Sequence, residues 1–252
     1  EHGPVAAVGL GCFGPLDLDP KSEGYGYITT TPKPGWQQVD IVGTLKNRLK
    51  VPFAFDTDVN AAALGEHLWG AGIGCDPVVY ITIGTGVGGG VFANGRLLHG
   101  LVHPEIGHLS VPPPRNSAAV ARDCQCPYHK SCVEGYVSGT SMAKRWGVRA
   151  DQLPPDHPAW EEMSDTLAQA LMNLVLTLSP KKIILGGGVM EQPHLIGLVR
   201  GKLRSHLNGY VATPKLSSGI DDYVVKPGLG SQAGLLGSLA LGLRLANEKG
   251  VG

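Results

Sequence analysis

No charge of either sign dominates this chain: 21 basic residues stand against 21 acidic ones among 252, and no basic run is longer than the pair Lys181-Lys182. A nucleic-acid binder carries a basic face, because phosphate contacts supply much of its affinity, so nucleic acid is not expected as a partner. Long apolar runs are missing too. None approaches the roughly 18–20 residues that a membrane-spanning helix needs, and no charged segment followed by an apolar stretch and a cleavage site opens the sequence. A soluble, cytoplasmic protein with no membrane partner is expected. Aromatic residues are scarce, at 6%, and no fixed-period repeat or low-complexity segment is present. The cysteines Cys12, Cys75, Cys124, Cys126 and Cys132 are odd in number, with the last three close together. That disfavours an evenly paired disulfide framework and points to a metal site in a reducing compartment.

What is plentiful is glycine, with 37 residues, beside 19 prolines. The glycines cluster between apolar segments, so they read as tight turns and ligand loops rather than as a disordered linker. The length allows one large domain or two small ones. Val5 to Gly9 reads as a short buried strand, broken by Cys12-Phe13-Gly14-Pro15, and Gly24 to Trp36 reads as an aperiodic loop. Ile41, Val42, Leu45 and Leu49 have helical spacing, and Pro52 to Phe55 follows as a strand. Asp58 before an alanine run reads as the N-cap of a helix reaching about Trp69. Val78 to Ile83 is a strongly β-prone strand, and Asn94-Gly95 marks a tight hairpin after Gly88 to Ala93. Met163 to Leu178 is amphipathic, Lys182 to Leu185 is a buried strand, and a last helix runs from about Ser231 to Asn247. The chain is expected to divide near residues 70–76.

Three glycine motifs bear on ligand binding. The spacing G-x-G-x-x-G occurs at Gly9, Gly11 and Gly14 and again at Gly84, Gly86 and Gly89. A dinucleotide fold needs that motif to follow a strand and open a helix, so that the pyrophosphate meets the helix N-terminus. The first copy runs into Pro15 and a polar loop and the second into another strand, so a dinucleotide fold is not expected. The second copy still suits a phosphate, because Gly84, Thr85 and Gly86 let backbone N–H groups approach closely; a hairpin without ligand is the alternative. The third motif, Gly186-Gly187-Gly188 after Ile184-Leu185, leaves a surface free of side chains that suits an adenine or ribose, or else a strand-to-helix turn. Gly228 to Ser231, just before the last helix, can add to the same pocket.

Taken in order, four segments resemble the ROK family (repressors, open reading frames and kinases). They are Asp56-Thr57-Asp58-Val59-Asn60-Ala61-Ala62-Ala63-Leu64-Gly65-Glu66, Gly84 to Gly90, His103-Pro104-Glu105-Ile106-Gly107-His108 with Cys126 to Glu134, and Leu185 to Val189. The resemblance implies an α/β chain with the two-lobed actin-like ATPase or hexokinase (ribonuclease H-like) fold, its N-terminal lobe incomplete. It divides the chain into an N-terminal lobe over 1–72, with the helix 232–248 packing back on it, and a C-terminal lobe over 73–231. It implies ATP-dependent phosphorylation of a hexose, with Mg2+ accompanying the ATP and a homodimeric assembly. Asp58 is implied as the base that takes the proton of the attacking hydroxyl. Asn60, Glu105, His108 and Glu134 are implied as sugar contacts, with Thr57 beside them. Gly84, Thr85, Gly86, Gly186, Gly187 and Gly188 are implied to hold the nucleotide.

The metal motif departs from the commonest family pattern, Cys-x-Cys-Gly-x-x-Gly-Cys. Here Cys126, His129 and Cys132 sit at two-residue spacings and His108 supplies a distant fourth ligand, a set suited to a closed structural zinc. Cys124 is spare or competes with His129. This variant resembles the fructokinase branch of the family, as does Gly24-Tyr25-Gly26-Tyr27-Ile28-Thr29-Thr30-Thr31-Pro32-Lys33-Pro34-Gly35-Trp36, and so implies fructose as the sugar and fructose 6-phosphate as product. Family kinases open with a strand carrying Asp-x-Gly-Gly-Thr-Lys, which does not occur here. A few tens of residues are therefore expected to precede this stretch, and the 252-residue chain is expected to be weakly active or inactive and prone to associate. The competing readings are a sugar-responsive regulator of the same family, a catalytically silent zinc-stabilised sugar-binding protein, or a kinase for glucose, mannose or N-acetylmannosamine.

Overall fold

A computed structural model describes residues 5–115 and 117–250. The chain separates into two compact units, one built from 1–74, 90–104 and 228–252, the other from 75–89 and 105–227. The stretch 90–104 thus belongs with the first unit, whereas the sequence reading placed it in the C-terminal lobe. In chain order the elements up to the first boundary are β1 (Val8–Cys12), β2 (Tyr27–Ile28), β3 (Val39–Asp40), α1 (Ile41–Leu49), β4 (Phe53–Thr57) and α2 (Asp58–Trp69). There follow β5 (Val78–Ile83), β6 (Val87–Ala93), β7 (Arg96–Leu97), α3 (Val133–Val137), α4 (Gly139–Trp146) and α5 (Pro158–Leu178). The remainder is β8 (Lys182–Gly186), α6 (Leu195–Leu207), α7 (Ile220–Tyr223), β9 (Val224–Val225) and α8 (Ala233–Glu248).

In the first unit β1 and β4 pair in parallel, Val8 opposite Phe53 and Cys12 opposite Thr57. The strand expected at Val5 to Gly9 is therefore displaced toward the C-terminus. The register explains it: β1 must run level with β4 to the point where α2 begins. The stretch Gly24 to Trp36 is not wholly loop either, since β2 pairs antiparallel with β3, a non-local pairing that local composition does not signal. Cys12, Leu16, Ile28, Val42, Phe53 and Phe55 form the buried cluster beneath these strands.

Helix α2 is buried around its whole circumference from Val59 to Glu66, so apart from Asn60 and Glu66 that stretch is apolar, as a helix enclosed by its own unit requires. Helix α8 lies against both α2 and β1. The approach is so close that a Cβ on Gly237 would stand 1.7 Å from the Ala61 carbonyl oxygen, and one on Gly9 1.7 Å from that of Ser238. Glu66 is buried, and its carboxylate accepts from the N–H groups of Ala71 (2.7 Å), Gly228 (2.9 Å) and Leu229 (2.9 Å). Three donors offset the desolvation of the charge and tie the end of α2 to the segment that leads into α8. The β6–β7 hairpin turns at Asn94 and Gly95, both at positive φ (54° and 77°), as the Asn-Gly signal requires.

In the second unit β5, β8 and β9 run parallel, Val78 opposite Lys182 and Ile183 opposite Val224. The continuous apolar run of β5 fits a strand covered on both faces. Helix α5 starts with His157 as cap and Pro158 in its first turn and ends at Ser179 in the left-handed conformation before Pro180. Its buried face, from Trp160 to Val175, packs against α6.

Candidate active site

Asp58 opens α2 but does not cap it. Thr57 does, its hydroxyl accepting from the Asn60 N–H at 3.0 Å, which corrects the reading of Asp58 as N-cap. Relieved of that duty, Asp58 Oδ1 accepts its neighbour's N–H, from Val59 at 2.8 Å. Solvent reaches the carboxylate, yet the protein crowding its other sides pushes its pKa up; the Val59 N–H, Lys33 and His103 pull it partly back. A carboxylate raised toward working pH is a better proton acceptor than an ordinary one.

Asn60, expected to contact sugar, is completely buried. Its Nδ2 donates to Asp56 Oδ1 at 2.8 Å and its Oδ1 accepts from Val91 N–H at 3.3 Å. Both ends of the amide are committed within the unit, so Asn60 is a scaffold residue and leaves the list of sugar contacts.

In the second unit His108, Cys126, His129 and Cys132 come together, with one ligand atom from each lying within 4.8 Å of all the others. The His108 Nδ1–Cys126 Sγ distance is 3.8 Å, His129 Nδ1–Cys126 Sγ is 3.4 Å, and His108 Nδ1–Cys132 Sγ is 3.9 Å. Metal–ligand bonds of about 2.0–2.3 Å at tetrahedral angles place neighbouring ligand atoms about 3.3–3.8 Å apart. The donor set therefore fits one small, borderline-soft cation. Cys124 is not part of this group. Burial lowers the pKa of His108, favouring the neutral imidazole that ligates metals. Burial pushes the Cys132 thiol up, a cost that a bound cation removes by stabilising the thiolate.

Glu105 precedes a single 3-10 turn that ends in His108. Glu134, in the first turn of α3, is close enough to influence His108, and its Oε2 accepts the Val87 N–H at 2.9 Å. The expected nucleotide residues separate into two sets. Gly84, Thr85 and Gly188 line a cavity of about 570 Å³. The other three are packing positions: a Cβ on Gly86 would meet Glu134 Oε2 at 2.7 Å, one on Gly186 would meet Tyr80, and Gly187 (φ 90°) has the Ile83 backbone 2.4 Å from where its Cβ would be. Sequence reasoning missed the opposite wall, formed by Gly139, Thr140 and Ala143 of α4 with Arg149, Ala150, Asp151 and Gln192. Ser138 caps α4 by accepting from Ser141 N–H, and Thr140 donates to the Thr85 carbonyl at 2.8 Å, so this helix start is clamped to the Gly84 loop. The Ser-x-x-Ser spacing was the available signal.

The ROK family profile matches residues 1–244. A Bacillus subtilis protein is 47% identical over 237 residues, covering 94% of this chain and 78% of the relative. The fructokinase of Pediococcus pentosaceus is 43% identical, covering 94% of this chain and 80% of its own length. A ROK family glucokinase from Streptomyces griseus, solved with glucose and AMPPNP, superposes with a TM-score of 0.74 at 25% identity, covering 94% of this chain and 81% of that one. Fold and site together define an α/β protein of the actin-like ATPase class. The chain belongs to the ROK family.

Proposed function

We propose that this protein is an ATP-dependent sugar kinase that converts D-fructose to fructose 6-phosphate. The observation that carries the reading is the cavity where Gly84 and Thr85 meet Gly188 and the start of α4. The start of a helix and the open space beside Gly84 and Gly188, where no side chain intrudes, suit a nucleotide there. Support for fructose is the fructokinase standing of relatives such as that of Pediococcus pentosaceus.

In the proposed step the 6-hydroxyl oxygen of the sugar forms a bond to the γ-phosphorus while the bond from that phosphorus to the bridging β–γ oxygen breaks, releasing ADP. Asp58 accepts the hydroxyl proton as its oxygen becomes nucleophilic. Most of the acceleration comes from positioning and charge neutralisation around the phosphoryl group. Glu105, His108 and Glu134 orient the sugar hydroxyls. Mg2+ accompanying ATP would supply charge neutralisation at the phosphates. His108, Cys126, His129 and Cys132 would hold a structural zinc, which would fix the direction of the His108 ring. A homodimer is the assembly that family membership suggests.

A coupled assay with ATP and magnesium, offering fructose, glucose, mannose and N-acetylmannosamine, tests this. Fructose is expected to be turned over with the highest kcat/KM, and Asp58→Asn to lower kcat by about three orders of magnitude through loss of the base and of transition-state alignment. Sugar binding without phosphorylation of any of the four would instead indicate a silent binding protein or a regulator and would overturn the proposal.

A further inference from the structure

His99 lies two residues beyond β7, within the stretch that folds with the first unit, and sequence reasoning gave it no part. Its Nε2 is 2.8 Å from Asp56 Oδ2 and 3.3 Å from Asn60 Nδ2. The ordinary reading would be a surface ion pair, and such pairs contribute little to stability. Burial argues otherwise. The His99 side chain is 42% exposed, but that of Asp56 is only 4% exposed. Asp56 Oδ1 accepts from the Thr57 N–H at 2.7 Å and from Asn60 Nδ2 at 2.8 Å, which leaves Oδ2 to His99.

Those bonds converge on one place. Thr57 caps α2, Asn60 lies in its first turn, and Asp58 is its first residue. Two carboxylates, Asp56 and Asp58, thus stand two residues apart across the β4–α2 junction. An uncompensated buried charge at Asp56 would shift the junction and would raise the proton affinity of Asp58 further. We propose that His99 is a positioning residue for phosphoryl transfer: its ring, seated on the buried Asp56 carboxylate, fixes the β4–α2 junction that presents Asp58. This rests on the kinase reading given above.

The surrounding groups suit that role. The hydrogen bond to Asp56 holds the pKa of His99 above its ordinary value, against the opposing effect of burial. His103, four residues on in the same stretch, is pushed down by burial, and its Nε2 accepts the Leu16 N–H at 3.0 Å, so that ring is neutral and occupied. From the long loop Tyr25 faces Asp56 and Lys33 acts on Asp58. His99 is therefore the ring in direct contact with the Asp56 carboxylate, and the charge it carries when protonated is lost as pH rises through its elevated pKa.

The test uses His99→Ala, which removes ring and charge, and His99→Gln, which keeps an amide donor without the charge. His99→Ala is expected to lower kcat about tenfold with KM for ATP changed less than twofold, the mark of misalignment rather than lost binding. His99→Gln is expected to recover part of that loss and to lack the alkaline decline of the wild-type pH–rate profile. Should His99→Ala fail to fold, His99→Gln decides alone: a wild-type alkaline limb overturns the proposal and a flattened one supports it. A folded His99→Ala protein with wild-type kcat and pH profile also overturns it. NMR titration of the imidazole separates this failure from failure of the kinase reading. A chain that phosphorylates no sugar sinks the kinase reading, whereas a His99 midpoint unmoved by Asp56→Asn sinks the pairing itself.

Discussion

Two stretches carry the same glycine spacing, Gly9-x-Gly11-x-x-Gly14 and Gly84-x-Gly86-x-x-Gly89, and the fold uses them in opposite ways. In the first, neighbouring parts of the chain fill the space that side chains would need. A Cβ on Gly9 would meet the Ser238 carbonyl, and one on Gly11 would stand 2.9 Å from Ser238 Oγ, which accepts the Gly11 N–H at 3.2 Å. These glycines exist so that α8 can lie on β1. In the second, Gly86 and Gly89 are packed against Glu134 and Ile106, but nothing lies within 4 Å of where a Gly84 Cβ would point, and Gly84 lines the cavity. A glycine pattern reports only that something comes close. The identity of the approaching group separates a packing joint from a ligand loop.

The most forceful way to break that comparison is to load the packing joint. Gly237, the partner glycine on α8, has the Ala61 carbonyl 1.7 Å from its would-be Cβ, and both groups are backbone that cannot swing aside. In an unconstrained helix interior Gly→Ala is stabilising by roughly 1 kcal/mol. Here the sign is expected to reverse, with Gly237→Ala costing about 3 kcal/mol or more through overpacking. Gly9→Ala is expected to do the same. Urea unfolding reads both as a lowered midpoint at unchanged slope. A Gly237→Ala protein as stable as wild type would mean that α8 does not sit on α2 as described.

Much of this was legible from residues alone, and the reason is local chemistry. A run of β-branched and apolar residues marked β5, Asn94-Gly95 marked the hairpin, and Pro180 marked the end of α5. The metal quartet was legible because its members carry ligand chemistry at recognisable spacings, and His108, Cys126, His129 and Cys132 do gather. What was not legible depends on distant partners. Nothing near Glu66 says that its carboxylate will collect three N–H groups, two of them from residues 228 and 229. Nothing near Asn60 says that Asp56 and Val91 will take its amide, and α4 carries no glycine signature to announce a cavity wall. The β2–β3 pairing inside an apparent loop belongs with these.

A smaller effect is expected from the ligand-loop copy. Gly84→Ala adds a methyl group into open space, so its thermal midpoint should stay within about 2 °C of wild type, the equivalent of a fraction of a kcal/mol. That methyl group points where the nucleotide is proposed to sit, so the KM for ATP should rise about tenfold, a loss near 1.4 kcal/mol. Calorimetric titration with AMPPNP measures the same loss without relying on turnover. Wild-type nucleotide affinity in Gly84→Ala would move the phosphates away from this loop and would leave the two glycine copies alike.

The smallest effect concerns the junction that Gly11 packs against, since a Cβ there would also lie 3.2 Å from the Asp58 Cα. If that junction is built for chemistry rather than for stability, the Asp58 charge should be a mild liability. Its pKa is raised in the folded protein, chiefly by desolvation. A carboxylate raised in this way binds its proton more tightly folded than unfolded. Its destabilising contribution is therefore complete above the elevated value, and it vanishes as pH falls below the ordinary aspartate range near about 4. Asp58→Asn should accordingly melt a degree or two higher than wild type at pH 7, an increment on the order of that from other small charge changes. The advantage should shrink on acidification until the two curves meet. Melting curves collected from pH 7 down to the acid limit decide it. A substitution that lowers the midpoint at pH 7, or whose advantage grows toward acid, would show that Asp58 holds the helix start together and would return it to the structural role that Thr57 fills here.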